Sequence, residues 1–123
     1  MALYESGENY LETILILEER LGKVRSIDVA TEHGYSRASI SRAMGILKKE
    51  GLLEIGQDGA LELTKKGRKR AQAVYERHKV ISEYLVSFLG VKKRTALEDA
   101  CRIEHILSEE SFSRMKEKLA GIE

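Results

Sequence analysis

SIDVATEHGYSRASISRAMGILKKEG, residues 26–51, decides the fold. Ser26 is a residue type that caps helices and predicts a short helix over Ile27–His33. Gly34 supplies the turn, because glycine takes the positive φ that a tight reversal needs. Ser36 predicts the cap of a second helix, Arg37–Glu50. Ala30, Gly34 and Ile40 have the small–turn–apolar spacing of a helix-turn-helix, where a small residue lets two helices cross closely. Ile40, Met44 and Leu47 recur at i, i+4 and i+7 and predict the buried face of the second helix. Beyond Gly51, Leu53-x-Ile55, Gly56–Gly59 and Leu61-x-Leu63 alternate as a hairpin with a four-residue loop. A helix-turn-helix running into a hairpin is a winged helix. Any compact helical hairpin could share the first spacing, so charge has to separate the readings.

The 123 residues are 42% apolar and carry a net charge of +1. Residues 1–36 are net −4, residues 37–79 net +6 and residues 80–123 net −1. A basic middle between acidic flanks predicts a polyanion partner for the middle alone. The second helix is then the one that enters the major groove. Just after the capping Ser36 it offers Arg37, Ala38, Ser39, Ser41 and Arg42. Arginine pairs with guanine, serine contacts any base, and the alanine methyl meets a thymine methyl. Lys48 and Lys49 suit phosphates. Lys65 and Lys66 open the next helix against its macrodipole, which points to phosphate contact beside the wing. The wing tip has no Lys or Arg, so no arginine insertion is expected from it.

Residues 4–21 predict a first helix with the apolar stripe Tyr10, Ile14, Leu17 and Leu21, ended by Gly22. Glu12 falls nearly opposite that stripe, three residues after Asn9, and a solvated acidic face is the simplest reading. Thr64 caps a long helix that runs to Leu89, with Val74, Ile81, Leu85 and Phe88 as its stripe. His78 lies within the stripe, where a histidine is usually a packed one. Gly90 breaks the helix. Thr95-x-x-Glu98 is a capping box and predicts a helix over residues 95–107. On it Cys101, Glu104 and His105, at i, i+3 and i+4, share a face. A thiol, a carboxylate and an imidazole together suit a divalent transition metal, while a cysteine alone packs as a small apolar residue. Ser108 caps a last helix, with Leu107 and Phe112 as a staple and Phe112, Met115 and Leu119 as its apolar face. About 45 residues beyond the wing are too few for an independent core, which predicts packing against a second copy.

The expected fold is mainly α with a small β-hairpin. A winged helix-turn-helix DNA-binding domain occupies residues 1–70, and a helical metal-binding and dimerisation domain occupies residues 71–123. One cysteine permits no internal disulfide and suits a reducing compartment. The start lacks a signal peptide and no apolar run approaches ~20 residues. The expectation is a cytoplasmic protein with no membrane partner and no small organic ligand.

ENYLETI, LTKKG, ERHKVISEYL and EDACRIEHILS, in that order, resemble the diphtheria-toxin-repressor family of metal-dependent transcriptional regulators, over residues 8–119. The resemblance implies a homodimer that binds double-stranded operator DNA when loaded with Fe2+ or Mn2+, acts as a repressor and is no enzyme. It implies the two-domain form, without the SH3-like domain of the iron branch. By position the family's metal residues fall on Asn9, Glu12, His78, Cys101, Glu104 and His105. Cys101 resembles the iron branch and Glu12 the manganese branch. Asn9 matches neither, since methionine and aspartate are usual there. Ser82 stands where both branches carry glutamate, and Leu97 where the iron branch carries histidine. The donor set would also accept Zn2+ or Co2+. Two rivals stand beside this reading. One is a winged-helix regulator that senses no metal, with Cys101 structural or redox-active. The other is a small metalloenzyme using His78, Cys101, Glu104 and His105, which would leave the basic helix-turn-helix unexplained.

Overall fold

A computed structural model describes residues 5–121. The chain forms two compact units, Met1–Gln72 and Ala73–Glu123. The first holds α1 (Glu5–Leu21), β1 (Val24–Arg25), α2 (Ser26–His33), α3 (Arg37–Lys49), β2 (Leu53–Ile55), β3 (Ala60–Leu63) and the opening turns of α4 (Lys65–Leu89). The second holds the remainder of α4, then α5 (Lys93–Ile103) and α6 (Glu109–Ala120).

The helix-turn-helix forms as its residues dictate. Gly34 takes φ 70°, and the Tyr35 N–H closes on the Ala30 carbonyl at 3.1 Å. The Ser36 hydroxyl oxygen accepts from the Ser39 N–H at 3.1 Å and so satisfies one orphan donor of α3. Ile40, Met44 and Leu47 are buried. The cap of α2 lies one residue earlier than expected. Arg25 occupies it, and its N–H donates to the Asp28 carboxylate at 2.9 Å, leaving Ser26 as the first helical residue.

The wing is a three-stranded antiparallel sheet in the order β1-β3-β2, not a simple hairpin. Val24 pairs with Leu61 and Arg25 with Ala60 on one side of β3. Leu53 pairs with Leu63 and Ile55 with Leu61 on the other. The loop between β2 and β3 closes with the Gly59 N–H on the Gly56 carbonyl at 2.9 Å, and Gly59 takes φ 83°. α1 packs on α2, β1 and β3, and its Leu11, Ile14 and Leu17 are buried. Two expectations for α1 fail. Leu21 is half exposed, because the helix ends there against Gly22, and Glu12 is buried where a solvated acidic face was expected.

Thr64 is the joint between wing and α4. Its hydroxyl accepts from the Gly67 N–H at 3.0 Å and donates to the Gly51 carbonyl at 2.8 Å. Gly67 is required by close approach: a Cβ there would stand 1.9 Å from the Leu52 carbonyl oxygen.

In the second unit Ile81 and Leu85 of α4 form a core with Ala96 and Ala100 of α5, flanked by Val91, Ile103, Leu107 and Met115. Three expectations are corrected here. Phe88 is exposed. α5 begins at Lys93 with Lys92 as its cap, so Thr95 lies inside the helix. α5 ends at Ile103, not Leu107, because its bonds tighten: the His105 and Ile106 N–H groups reach back three residues, to the Arg102 and Ile103 carbonyls, as a helix end commonly does. Ser108 then caps α6, accepting from the Ser111 N–H at 3.1 Å, and Phe112 is buried beneath it. Among the described residues no helix is long and apolar enough to cross a membrane.

Candidate metal centre and nucleic-acid interface

Three side chains of the second unit converge: His78 from α4, Cys101 from α5 and Glu104 at the α5 C-cap. One donor atom from each lies within 4.8 Å of the others. His78 Nδ1 is 3.7 Å from Glu104 Oε2 and 3.9 Å from Cys101 Sγ. Glu104 is 1% exposed, and neither of its carboxylate oxygens has a hydrogen-bond partner among the described residues. A buried carboxylate without hydrogen bonds is several kcal/mol unfavourable, unless a cation or a proton meets it. Ligands around one transition-metal ion sit at about 2.0–2.3 Å from it, hence about 3.3–3.7 Å from one another in a tetrahedral shell, so the two His78 distances are close to that spacing and the widest pair has about 1 Å to close. Sulfur, nitrogen and oxygen donors in this combination fit a divalent transition metal.

His105 also lies beside Glu104. It follows the helix end, and its Nε2 lies 3.7 Å from the other Glu104 oxygen. Asn9 and Glu12 stand on α1, in the first unit. Glu12 is buried, and the Asn9 carbonyl accepts from the Thr13 hydroxyl at 2.8 Å. Ser82 turns its hydroxyl to the Lys79 carbonyl at 3.1 Å, a local bond of α4.

On the first unit, Arg37, Ala38, Ser39, Ser41 and Arg42 are all exposed in the first two turns of α3. Ser36 is used internally, since its hydroxyl also donates to Ser39 Oγ at 2.9 Å. Lys48 and Lys49 are exposed at the far end, where they also complement the macrodipole. Lys65 and Lys66 are exposed in the first turn of α4. Arg68 and Arg70 are committed elsewhere. Arg68 makes a two-bond pair with Glu18 at 2.9 and 3.1 Å, and Arg70 holds Glu8 at 3.0 Å.

Sequence reasoning missed two basic residues at the wing. β1 lies beside β3 and brings Lys23 Nζ to 2.7 Å and Arg25 Nη2 to 3.8 Å from the Asp58 carboxylate of the tip loop. Bonds from Lys23 and the Ala60 N–H hold the Asp58 carboxyl down to about 2. The sign of the wing tip is therefore set by a strand that a two-residue stretch could not announce. Its signal was the Lys-Val-Arg alternation just before α2.

Two family models match end to end. "Iron dependent repressor, N-terminal DNA binding domain" matches residues 2–61, and "Iron dependent repressor, metal binding and dimerisation domain" matches residues 64–123. The chain is 32% identical over 113 residues to an uncharacterized HTH-type transcriptional regulator of Methanocaldococcus jannaschii, covering 91% of this chain and 90% of that one. It is 34% identical over 113 residues to the iron-dependent repressor IdeR of Mycobacterium tuberculosis, covering 92% of this chain and 49% of IdeR. A solved manganese-dependent transcriptional repressor in complex with manganese superposes with a TM-score of 0.85 at 30% identity, over 93% of this chain and 52% of that one. The chain thus spans about half the length of IdeR and of the manganese-dependent repressor, and nearly all of the archaeal regulator.

Proposed function

The chain belongs to the iron-dependent repressor family, and from that premise we propose that it is a homodimeric regulator that binds double-stranded operator DNA when loaded with Fe2+ or Mn2+. The observation that carries this reading is Glu104, a carboxylate buried without hydrogen bonds beside an imidazole and a thiol. His78, Cys101, Glu104 and His105 hold the metal. By family position Asn9 and Glu12 of α1 are further ligand candidates. A bound divalent ion supplies the positive charge that the Glu104 carboxylate needs.

Arg37, Ala38, Ser39, Ser41 and Arg42 read base edges in the major groove, with Ser36 holding the helix start. Lys48, Lys49, Lys65 and Lys66 contact phosphates, and Lys23 and Arg25 add to them at the wing. Val86 and Leu89 at the end of α4 and Leu97 on α5 are exposed apolar residues of the second unit and pair with a second copy. We assign the chain no catalytic step. It acts as a repressor in the cytoplasm, where Cys101 stays reduced.

The test is anaerobic operator binding, titrated with Mn2+, Fe2+, Co2+ and Zn2+ against a chelated control. Affinity should rise with metal. Equal affinity in all arms would leave a winged-helix regulator that senses no metal.

A further inference from the structure

Arg77 stands next to the metal cluster but belongs to none of the roles above. It and His78 are neighbours on α4, so their side chains leave the helix roughly 100° apart. They meet the turn after α5 from two directions. His78 faces the Glu104 carboxylate at 3.7 Å. Arg77 takes the main chain of the same turn: its Nη1 donates to the Glu104 carbonyl at 3.2 Å and to the Leu107 carbonyl at 2.5 Å. Its Nη2 reaches the Glu109 carboxylate at 3.1 Å, and the guanidinium lies 5.1 Å over the Phe112 ring. A helix end leaves carbonyls without partners, and the two protons of one guanidinium nitrogen can serve two of them at once. The Glu109 carboxylate is 80% exposed, so that ion pair is screened and contributes little. The backbone bonds are the ones that hold the turn.

Resting on the metal reading of this site, we propose that Arg77 is a positioning residue for the metal centre. By fixing the main chain at Glu104 and Leu107, it keeps the Glu104 carboxylate buried against His78 and Cys101 before any metal arrives. Without it the turn can relax, and the carboxylate can rotate towards water, where its charge is better solvated. The effect on metal binding then resembles the loss of any group that orients a ligand, about 10–100-fold in affinity.

The test uses the full chain with Arg77→Met, Arg77→Lys and Glu109→Gln. Three readouts are taken: Mn2+ affinity by competition with a chelating dye, the thiolate-to-Co2+ absorption band, and amide exchange without metal. Arg77→Met should weaken Mn2+ binding at least tenfold, alter the Co2+ band, and speed exchange at residues 105–107 while Ile81 and Leu85 stay protected. Arg77→Lys, which keeps a cationic donor on a shorter reach and without the planar guanidinium, should recover part of each loss and carries the test should the methionine variant not fold. Glu109→Gln should stay within about twofold of wild type in Mn2+ affinity. Wild-type affinity and an unchanged Co2+ band in both Arg77 variants would overturn the proposal alone. So would a loss of protection spread equally over Ile81, Leu85 and the turn, since Arg77 would then only stabilise the unit. A wild-type chain that binds neither Mn2+ nor Co2+ would overturn the metal reading, and the proposal with it.

Discussion

Glu104 is the residue on which folding and function pull in opposite directions. Its carboxylate is buried and has no hydrogen bond among the described residues, which destabilises the metal-free protein. Glu104→Gln should therefore raise the metal-free melting temperature and at the same time abolish the further rise that Mn2+ gives the wild type. A melting series with and without Mn2+ checks both halves; a destabilised variant that still responds to Mn2+ would contradict the assignment. His33 gives a prediction of pH dependence. Burial pushes its imidazole below the ordinary value near 6.5, with the Glu32 charge opposing weakly. The Thr13 hydroxyl proton is given to the Asn9 carbonyl, so His33 Nε2 is the donor in its 2.9 Å bond to Thr13. In the window between the lowered pKa and 6.5 the unfolded chain binds more protons than the folded one, so stability rises with pH through that window and falls as pH drops. His33→Gln should show a smaller loss of melting temperature between pH 7.5 and 5.5 than the wild type. An equal loss would show that His33 does not set this pH dependence.

At the scale of elements, Gly67 and the wing are the sensitive points. Gly67→Ala sets a methyl against the Leu52 carbonyl, a backbone atom that cannot turn aside. Overpacking of this kind is about 1–3 kcal/mol destabilising, and denaturant unfolding should register it. Lys23→Ala and Arg25→Ala should each weaken operator binding and lower its salt slope by about one ion per residue, whereas Asp58→Asn, which releases both cations, should not weaken it. Unchanged slopes would take β1 out of the interface. α3 was readable from the sequence because cap, periodicity and turn glycine agreed. The start of α5 was not, because Thr95 and Glu98 fit a capping box that the chain does not use; Glu98 instead lies 3.5 Å from Arg94, one turn back on the exposed face. β1 was unreadable for a plainer reason, since two residues carry no periodicity and only the pairing with β3 makes them a strand. Periodicity also mistook Glu12, because it ranks faces by their own apolar residues and not by what comes to cover them.

At the scale of the whole molecule, the ligands carried over by resemblance divide between α1 and the α4–α5 segment. His78, Cys101 and Glu104 are brought together by the structure, and their convergence was legible as spacing only for Cys101 and Glu104. The proposed regulator couples metal occupancy to operator binding. Coupling is reciprocal, so whatever factor metal adds to DNA affinity, DNA must add to metal affinity. The most direct test is the Mn2+ dissociation constant of the full chain, measured anaerobically with and without saturating operator DNA. Binding should be tighter by about 5–150-fold in the presence of DNA, the range of a coupling of about 1–3 kcal/mol. Identical Mn2+ affinity in the two conditions would contradict it.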